Sequence, residues 1–169
     1  MMTCKENMNT HLCDFTTLTE SQKVMILKWR NHKDVRTYMY NEKEIGKEEH
    51  FKFIESLKKR EDRRYFLVQK EDENIGVVDF NDISKHSATL GLYSNPNLTQ
   101  KGIGSILLQT IVDYAFYVLK VQTLQAEVFA TNEKAKALYE KFGFHVTGQK
   151  SVKGKEVICM ELRDENRSF

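Results

Sequence analysis

The segment 88–129 constrains the fold most strongly, because two strand-like runs there flank a glycine loop and a long amphipathic helix. Residues 88–93 and 124–129 are short apolar runs typical of strands. Between them, apolar residues recur at helical spacing over 103–119, which predicts a helix. These residues are Ile103, Leu107, Ile111, Ala115 and Val118. Such a strand–helix–strand unit packs as a right-handed crossover between two parallel strands.

The rest of the chain adds further strands. They are predicted over 12–18, 65–69, 75–80 and, around Lys153 and Gly154, as two strands within 144–162. A polar turn at 71–74 makes 65–80 a hairpin, and hairpins pair antiparallel. The sheet is therefore expected to be mixed.

Three more helices are predicted, over 20–32, 47–59 and 132–142. Thr19 and Gln22 form a capping box before the first of them. Phe51, Ile54 and Leu57 are expected on the inner face of the second. Gly143 is placed to end the third.

Composition favours one domain over residues 1–169, because 40% hydrophobic and 30% charged residues with a single proline are ordinary for a globular chain. The net charge of +2 gives no electrostatic footprint for nucleic acid or an anionic membrane. No apolar run is long enough for a membrane span. Three scattered cysteines (Cys4, Cys13 and Cys159) without metal-site spacing favour a reduced cytoplasmic compartment and no metal.

The glycine loop offers a site for a pyrophosphate. Its residues are Lys101, Gly102, Ile103, Gly104 and Ser105. Glycines let the backbone bend and let a ligand approach closely, and the helix that follows presents unpaired N–H groups. The loop does not match a P-loop, since the lysine precedes the glycine, nor a dinucleotide fingerprint, since Leu107 replaces the third glycine. An ordinary tight turn remains the alternative.

The segment 132–144 resembles the signature N-x-x-A-x-x-L-Y-x-x-x-G-F of the GNAT acetyltransferase superfamily, and the run Gly-Leu-Tyr-Ser-Asn-Pro at 91–96 resembles its strand-and-loop motif. One departure is Thr99, where the family usually has Gln or Arg. The resemblance implies an α/β (α+β) GNAT fold: a central, mixed, mostly antiparallel sheet of about seven strands, splayed in the middle and flanked by about four helices. It also implies that acetyl-CoA is the cosubstrate.

The first half of the chain resembles the PseH group within that superfamily, at 29–32, 48–51 and 75–80. Members of this group acetylate the 4-amino group of UDP-4-amino-4,6-dideoxy-N-acetyl-beta-L-altrosamine. That reaction is a step toward pseudaminic acid, which decorates bacterial flagellins.

The resemblance also implies where acetyl-CoA lies. The pantetheine arm adds to the strand at 88–93, and a backbone N–H near Leu92 or Tyr93 polarises the thioester carbonyl. The pyrophosphate lies on the glycine loop. Asn132 is expected at the pantetheine arm, with a plain N-cap as its alternative role. Lys136 and Lys141 are expected at the 3′-phosphate, with a solvated helix face as theirs.

Two residues are expected to carry the chemistry. Glu127 is the candidate base, because a carboxylate within a predicted central strand is costly unless it is partnered. A structural glutamate, either solvated or ion-paired, is the alternative. Tyr139 is the candidate acid for the CoA thiolate, because the family motif has tyrosine there; a core aromatic is the alternative.

The acceptor is expected to meet five residues: Arg30, His50, Asp79, Asn81 and Tyr93. Arginine suits a diphosphate because its donors are forked. A surface arginine at a helix end and a histidine on a helix face are the alternatives for the first two.

The predicted function is direct acetyl transfer to this nucleotide sugar in a cytoplasmic enzyme. No cysteine lies in the motif region, which disfavours an acetyl-cysteine intermediate. The alternatives are a RimJ/RimL-like acetyltransferase of protein N-termini and a non-catalytic acetyl-CoA-binding module. The oligomeric state stays open, with a homodimer as one option.

Overall fold

Seven strands of the computed structural model, which describes residues 10–166, form one sheet in the order β1-β2-β3-β4-β5-β7-β6. The strands are β1 Thr10–Asp14, β2 Arg64–Lys70, β3 Glu73–Asn81, β4 Ser87–Ser94, β5 Thr123–Phe129, β6 His145–Val152 and β7 Lys155–Arg163. Within residues 10–166, β4 and β5 pair parallel and all other neighbours pair antiparallel. This confirms the predicted mixed, mostly antiparallel sheet.

Helices cover both faces of the sheet. They are α1 Glu20–Asn31, α2 Lys33–Arg36, α3 Lys47–Ser56, α4 Ile103–Asp113 with a π-helical extension Tyr114–Leu119, and α5 Glu133–Lys141. The predicted capping box is present, since Thr19 accepts from the Gln22 N–H and the Gln22 side chain accepts from the Thr19 N–H. The four predicted helices are confirmed, and the four-residue α2 adds a fifth.

Three local predictions were wrong. The strand predicted over 12–18 ends at Asp14, because that side chain accepts from the Thr16 N–H and starts a 3-10 turn at Phe15–Thr17. On α3 Ile54 and Leu57 are buried as predicted, but Phe51 is only half-buried and His50 is buried instead. Val118 is 56% exposed, because the wider π-helical turn rotates it off the buried face.

Two apolar clusters lie on opposite faces of the sheet. Strand residues such as Val78 and Phe80 pack with α4 and α5 in the larger cluster. Their neighbours Val77 and Leu67 pack with α1 and α3 in the smaller one. This alternation follows from the two-residue period of a strand. A strand residue therefore faces either α4 and α5 or the α1–α3 side, according to its parity.

The parallel pairing of β4 with β5 covers only three residue pairs, from Ser87↔Thr123 to Thr89↔Gln125. Beyond Thr89 and Gln125 the two strands separate, while β4 stays paired with β3 and β5 stays paired with β7. The expected splay in the middle of the sheet is thus present, and it leaves two strand edges free to bind an extended ligand.

Replacing Gly76 by Ala is expected to destabilise the fold at this splay. An added Cβ would lie 2.6 Å from the Tyr93 carbonyl oxygen and 2.8 Å from Leu107 Cδ1. Overpacking of this kind costs about 1–3 kcal/mol of unfolding free energy. The control is Gly148→Ala, another strand glycine, whose added Cβ would meet no heavy atom within 4 Å. Equal urea midpoints for the two variants would contradict the packing argument.

Candidate active site

A cavity of about 930 Å³ opens on the α1–α3 side of the sheet, at the point where β4 and β5 part. Nine of the residues predicted for the site line it: Arg30, His50, Asp79, Asn81, Leu92, Tyr93, Glu127, Asn132 and Tyr139. Residues from both halves of the chain are thus brought to one place. Seven predicted residues do not line it: Lys101, Gly102, Ile103, Gly104, Ser105, Lys136 and Lys141.

The glycine loop forms the start of α4. Gly102 has a φ of 90° in the left-handed region and is the N-cap, with no side-chain cap. The first helical hydrogen bond runs from the Ile106 N–H to the Gly102 carbonyl, so the N–H groups of Ile103, Gly104 and Ser105 precede it. A helix start of this kind binds phosphate oxygens well. Lys101 is exposed beside it.

Gly104 also lets α4 approach α5. An added Cβ at Gly104 would lie 3.3 Å from Leu138 Cδ2. The two motifs recognised in the sequence are therefore in contact through this glycine and the leucine of the second motif.

The residues predicted for the rest of CoA have mixed environments. Asn132 caps α5 by accepting from the Ala135 N–H at 3.2 Å, and it also lines the cavity. Lys136 forms an ion pair with Glu140 at 3.1 Å, one turn along the exposed face of α5. Lys141 is exposed. The Lys136 geometry is compatible both with the solvated-face alternative and with a lysine that binds a phosphate.

Tyr139 is the most buried residue of α5, with 7% of its surface exposed. Its ring packs against Phe144, 5.4 Å between centroids. Burial raises the pKa of the Tyr139 hydroxyl well above its usual value, and the nearby Asp79 charge acts in the same direction. The hydroxyl therefore stays protonated at neutral pH and can donate a proton at the cavity wall.

Glu127 on β5 is held by two donors. Lys150 Nζ lies 2.8 Å from one carboxylate oxygen, and the Tyr40 hydroxyl donates to the other. Burial pushes the pKa of Glu127 up, but the hydrogen bonds from Lys150 and Tyr40 outweigh it and hold the pKa below its usual range. The charged glutamate is thus stabilised, which matches the ion-paired alternative and weakens its basicity.

Tyr40 belongs to a segment that the sequence did not mark, residues 38–45, which we call the crossing segment. The Tyr40 hydroxyl donates to Glu127, and the Tyr40 ring packs edge-on against Phe129 with 5.6 Å between the ring centroids. Glu42 pairs with Lys155 on β7. The crossing segment therefore spans from the helical side of the cavity to β5 and β7.

Arg30 holds the crossing segment in place. Its guanidinium donates to the Asn41 carbonyl at 2.8 Å and to the Lys43 carbonyl at 3.5 Å. Burial lowers the pKa of Arg30, while its neighbours Tyr93 and Glu49 act in the opposite direction. Arg30 lines the cavity, but part of its donor capacity goes to these backbone carbonyls.

His50 is buried on α3, with 4% of its surface exposed. Its Nε2 lies 2.9 Å from the Lys23 carbonyl. Burial lowers the pKa of His50, although that hydrogen bond acts in the opposite direction. A histidine held this way joins α3 to α1 and presents the rest of its ring to the cavity.

Asp79 and Asn81 are neighbours on one face of β3. The Asn81 amide donates to Asp79 Oδ1 at 2.8 Å, and the Tyr65 hydroxyl donates to Asn81 Oδ1 at 3.3 Å. Burial raises the pKa of Asp79 to about 7, although Asn81 and Arg63 act in the opposite direction. Burial also raises the pKa of Tyr93, beside it on β4.

Sequence reasoning missed Tyr40 and Tyr65. The Tyr40 contact with Glu127 joins residues 87 positions apart, and no local pattern signals it. Tyr65 begins a predicted strand, and its parity with the buried Leu67 could have placed it on the α1–α3 side. Of the three cysteines, Cys4 lies outside the described residues, and Cys13 and Cys159 are free thiols.

The chain belongs to the acetyltransferase (GNAT) family, whose model matches residues 25–144. It is an acetyl-CoA-dependent N-acetyltransferase. Among curated proteins, acetyltransferase PseH of Campylobacter jejuni is 44% identical over 135 residues, which cover 80% of this chain and 84% of that protein. The spermidine N(1)-acetyltransferase of Escherichia coli is 32% identical over 88 residues, 51% of this chain and 47% of that protein.

Solved structures agree with this assignment. The crystal structure of Campylobacter jejuni PseH with acetyl coenzyme A has a TM-score of 0.76 and 36% identity, covering 92% of this chain and 99% of that one. Spermidine N-acetyltransferase of Vibrio cholerae has a TM-score of 0.81 at 21% identity, with 94% and 97% covered, and shows the fold alone. The predicted family, the predicted fold and the PseH resemblance are confirmed.

The described part of the chain shows neither a metal cluster nor a membrane span. Residues 10–166 contain no group of three or more His, Cys, Asp or Glu side chains that could hold a metal ion. No described helix is both long and apolar enough to cross a membrane.

Asp79→Asn is expected to gain stability over the wild type as the pH rises. The unfolded chain loses the Asp79 proton near pH ~4, as an ordinary aspartate does. The folded protein keeps that proton up to about pH 7. The folded wild type binds more protons in this window, so its stability falls as pH rises through it. Asparagine carries no charge and escapes this loss. Urea unfolding between about pH 4 and pH 8 measures the difference.

Asp62→Asn is the control for this measurement. Arg60 holds the pKa of the exposed Asp62 carboxyl below its usual range, so this carboxylate stays charged in both states above about pH 5. Its difference from wild type should stay level from there to about pH 8. A level line for Asp79→Asn as well would contradict the raised pKa of Asp79.

Proposed function

We propose that this enzyme transfers the acetyl group of acetyl-CoA to the 4-amino group of UDP-4-amino-4,6-dideoxy-N-acetyl-beta-L-altrosamine. The observation that carries the proposal is the 44% identity to Campylobacter jejuni PseH over 80% of the chain. The reaction belongs to pseudaminic acid biosynthesis for flagellin glycosylation. We further propose a single domain and a cytosolic location, which the free thiols of Cys13 and Cys159 support.

The splay between β4 and β5 supports the position of acetyl-CoA. The pantetheine arm pairs with the free edge of β4 near Leu92 and Tyr93, and the backbone N–H there polarises the thioester carbonyl. The pyrophosphate meets the open N–H groups at the start of α4, beside Lys101. Thr89 is the last residue of β4 that pairs with β5, so the free edge of β4 begins at Leu90.

The nucleotide sugar enters from the α1–α3 side. Its diphosphate meets the donors of Arg30 that remain after the two carbonyl bonds, next to the buried His50. The sugar lies over Asp79, Asn81 and Tyr93, which all line the same cavity. A cavity of about 930 Å³ falls within the usual range for small-molecule sites.

Transfer is direct, within a ternary complex. The amine nitrogen attacks the thioester carbonyl carbon, a C–N bond forms and the C–S bond breaks. Tyr139 gives its hydroxyl proton to the departing thiolate, and the phenolate recovers a proton from the attacking nitrogen as the tetrahedral intermediate collapses. Burial raises the pKa of Tyr139, so its hydroxyl carries the proton at neutral pH when the thiolate forms. Glu127 was predicted to take the other amine proton.

Tyr139→Phe is expected to lower kcat by about 100- to 10,000-fold, the usual worth of a positioned acid, with acetyl-CoA affinity kept. CoA thiol release with the UDP sugar gives the rate, and calorimetry gives the affinity. The control is Tyr114→Phe, a tyrosine whose hydroxyl accepts from Arg64. It should keep wild-type kcat. An unchanged kcat in Tyr139→Phe would exclude Tyr139 as the acid and leave it the role of a core aromatic residue.

A panel of acceptors separates this proposal from its alternatives. The UDP sugar should give rapid CoA release, and a ribosomal-protein N-terminal peptide and spermidine should give little. UDP alone should raise the Tm, because a ligand that binds the folded state stabilises it. Release with the peptide alone would favour a RimJ/RimL-like enzyme. Acetyl-CoA binding without turnover on any amine would indicate a binding module.

A further inference from the structure

The register of the sheet places two carboxylates across the splay from each other. Thr89 and Gln125 are the last paired residues of β4 and β5, and their side chains meet on one face at 3.5 Å. Two residues further along the two parallel strands come Gly91 and Glu127, on that same face. Asp79 on β3 pairs with Gly91 and so shares the face as well.

Gly91 lets the Asp79 carboxylate reach toward the gap. A Cβ built on Gly91 would lie 2.5 Å from Asp79 Oδ1 and 2.7 Å from Oδ2. The carboxylate therefore fills the space that any side chain at 91 would take. It lies over β4, the strand along which the pantetheine arm is proposed to run.

One oxygen of this carboxylate remains available. Oδ1 accepts from the Asn81 amide, and among the described residues no hydrogen bond reaches Oδ2. The residue has 8% of its surface exposed and lines the cavity. A buried carboxylate oxygen without a donor is costly, which is typical of a group that waits for a substrate.

We propose that Asp79, rather than Glu127, takes the proton from the sugar's 4-ammonium group before the amine attacks acetyl-CoA. This inference rests on the proposed function. It assigns the proton acceptor by position: the carboxylate lies over Gly91, at the mouth of the gap, with an oxygen free to accept.

The surroundings of the two carboxylates suit them to different roles. Lys150 and Tyr40 occupy Glu127 and hold its pKa below the usual range, so it binds a proton poorly at neutral pH. Asp79 has a pKa raised by burial to about 7, close to the pH at which the enzyme works. Two carboxylates whose pKa values are pushed apart commonly divide the acid–base work.

Other titratable groups face this space from the surrounding elements. They are Arg63 and Tyr65 at β2, Tyr93 on β4, Glu127 on β5, Tyr139 on α5, and Arg30 and His50 on α1 and α3. The carboxylates Asp34, Glu49 and Asp82 and the tyrosines Tyr38 and Tyr40 line the same cavity. Arg63 lowers the pKa of Asp79, but less than burial raises it. Tyr65, Tyr93 and Tyr139 stay neutral because burial raises the pKa of each.

The proton balance closes with this assignment. Asp79 takes one proton from the ammonium group, and the neutral amine attacks the carbonyl carbon. As the C–S bond breaks, Tyr139 gives its proton to sulfur and regains one from the nitrogen. The products are the acetamido sugar and CoA thiol, and Asp79 releases its proton to water when they leave.

The experiment is the pH dependence of kcat for CoA release with the UDP sugar, in wild type, Asp79→Asn and Glu127→Gln. Wild type should show an acid limb at about pH 7, because burial raises the pKa of Asp79 to that value. Asp79→Asn should lose about 100-fold or more at neutral pH and should recover as the pH rises, because hydroxide then deprotonates the amine. Glu127→Gln should keep the acid limb.

A second variant tests the same residue without removing it. Asn81→Ala takes away the hydrogen bond that stabilises the charged Asp79, so the acid limb should move to higher pH.

A merely structural role of Asp79 would lower the kcat of Asp79→Asn equally at every pH. Circular dichroism and acetyl-CoA affinity should match wild type in Asp79→Asn, since that change removes a buried charge.

Three outcomes would overturn the inference. An Asp79→Asn enzyme with wild-type kcat and pH profile would remove Asp79 from the reaction. Loss of the acid limb in Glu127→Gln alone would return the role to Glu127. No CoA release by wild type with the UDP sugar would overturn the proposed function, and this inference with it.

Discussion

The separation of β4 from β5 after three residue pairs is the constraint on which the site depends. A strand edge in a sheet carries a row of N–H and C=O groups that need partners. Here each strand keeps a neighbour on its other side, so the edges that face each other stay in place without pairing. The gap offers backbone hydrogen bonds to an extended ligand and opens into the cavity that the acceptor shares.

Charge in the cavity is arranged by what each carboxylate can reach. Glu127 accepts hydrogen bonds from Lys150 and Tyr40, which stabilise its charge, so it stays ionised. Asp79 lies between tyrosines and above a glycine, with one amide donor, and burial makes its charge expensive. The same functional group in a different packing environment thus becomes one that exchanges protons near neutrality. Its neighbour Gly91 is needed for space.

Periodicity and motif spacing predicted the sheet, the four longer helices and the family, because these depend on patterns along a few neighbouring residues. Nine of the residues predicted for the site line one cavity, because strand parity and the splay place them together. Motif spacing could not predict that Lys136 pairs with Glu140 or that Arg30 binds two carbonyls. Those contacts depend on side-chain geometry, and for Arg30 on a segment without regular pattern.

The crossing segment links α1 to β5 and β7 across the gap in the sheet. Tyr40 contacts β5 and Glu42 contacts β7, while Arg30 on α1 fixes the segment through backbone carbonyls. The exposed ion pair between Glu42 and Lys155 stabilises by only about 0–1 kcal/mol. The crossing segment therefore adds a small number of separable contacts between α1 on one side of the gap and β5 and β7 on the other.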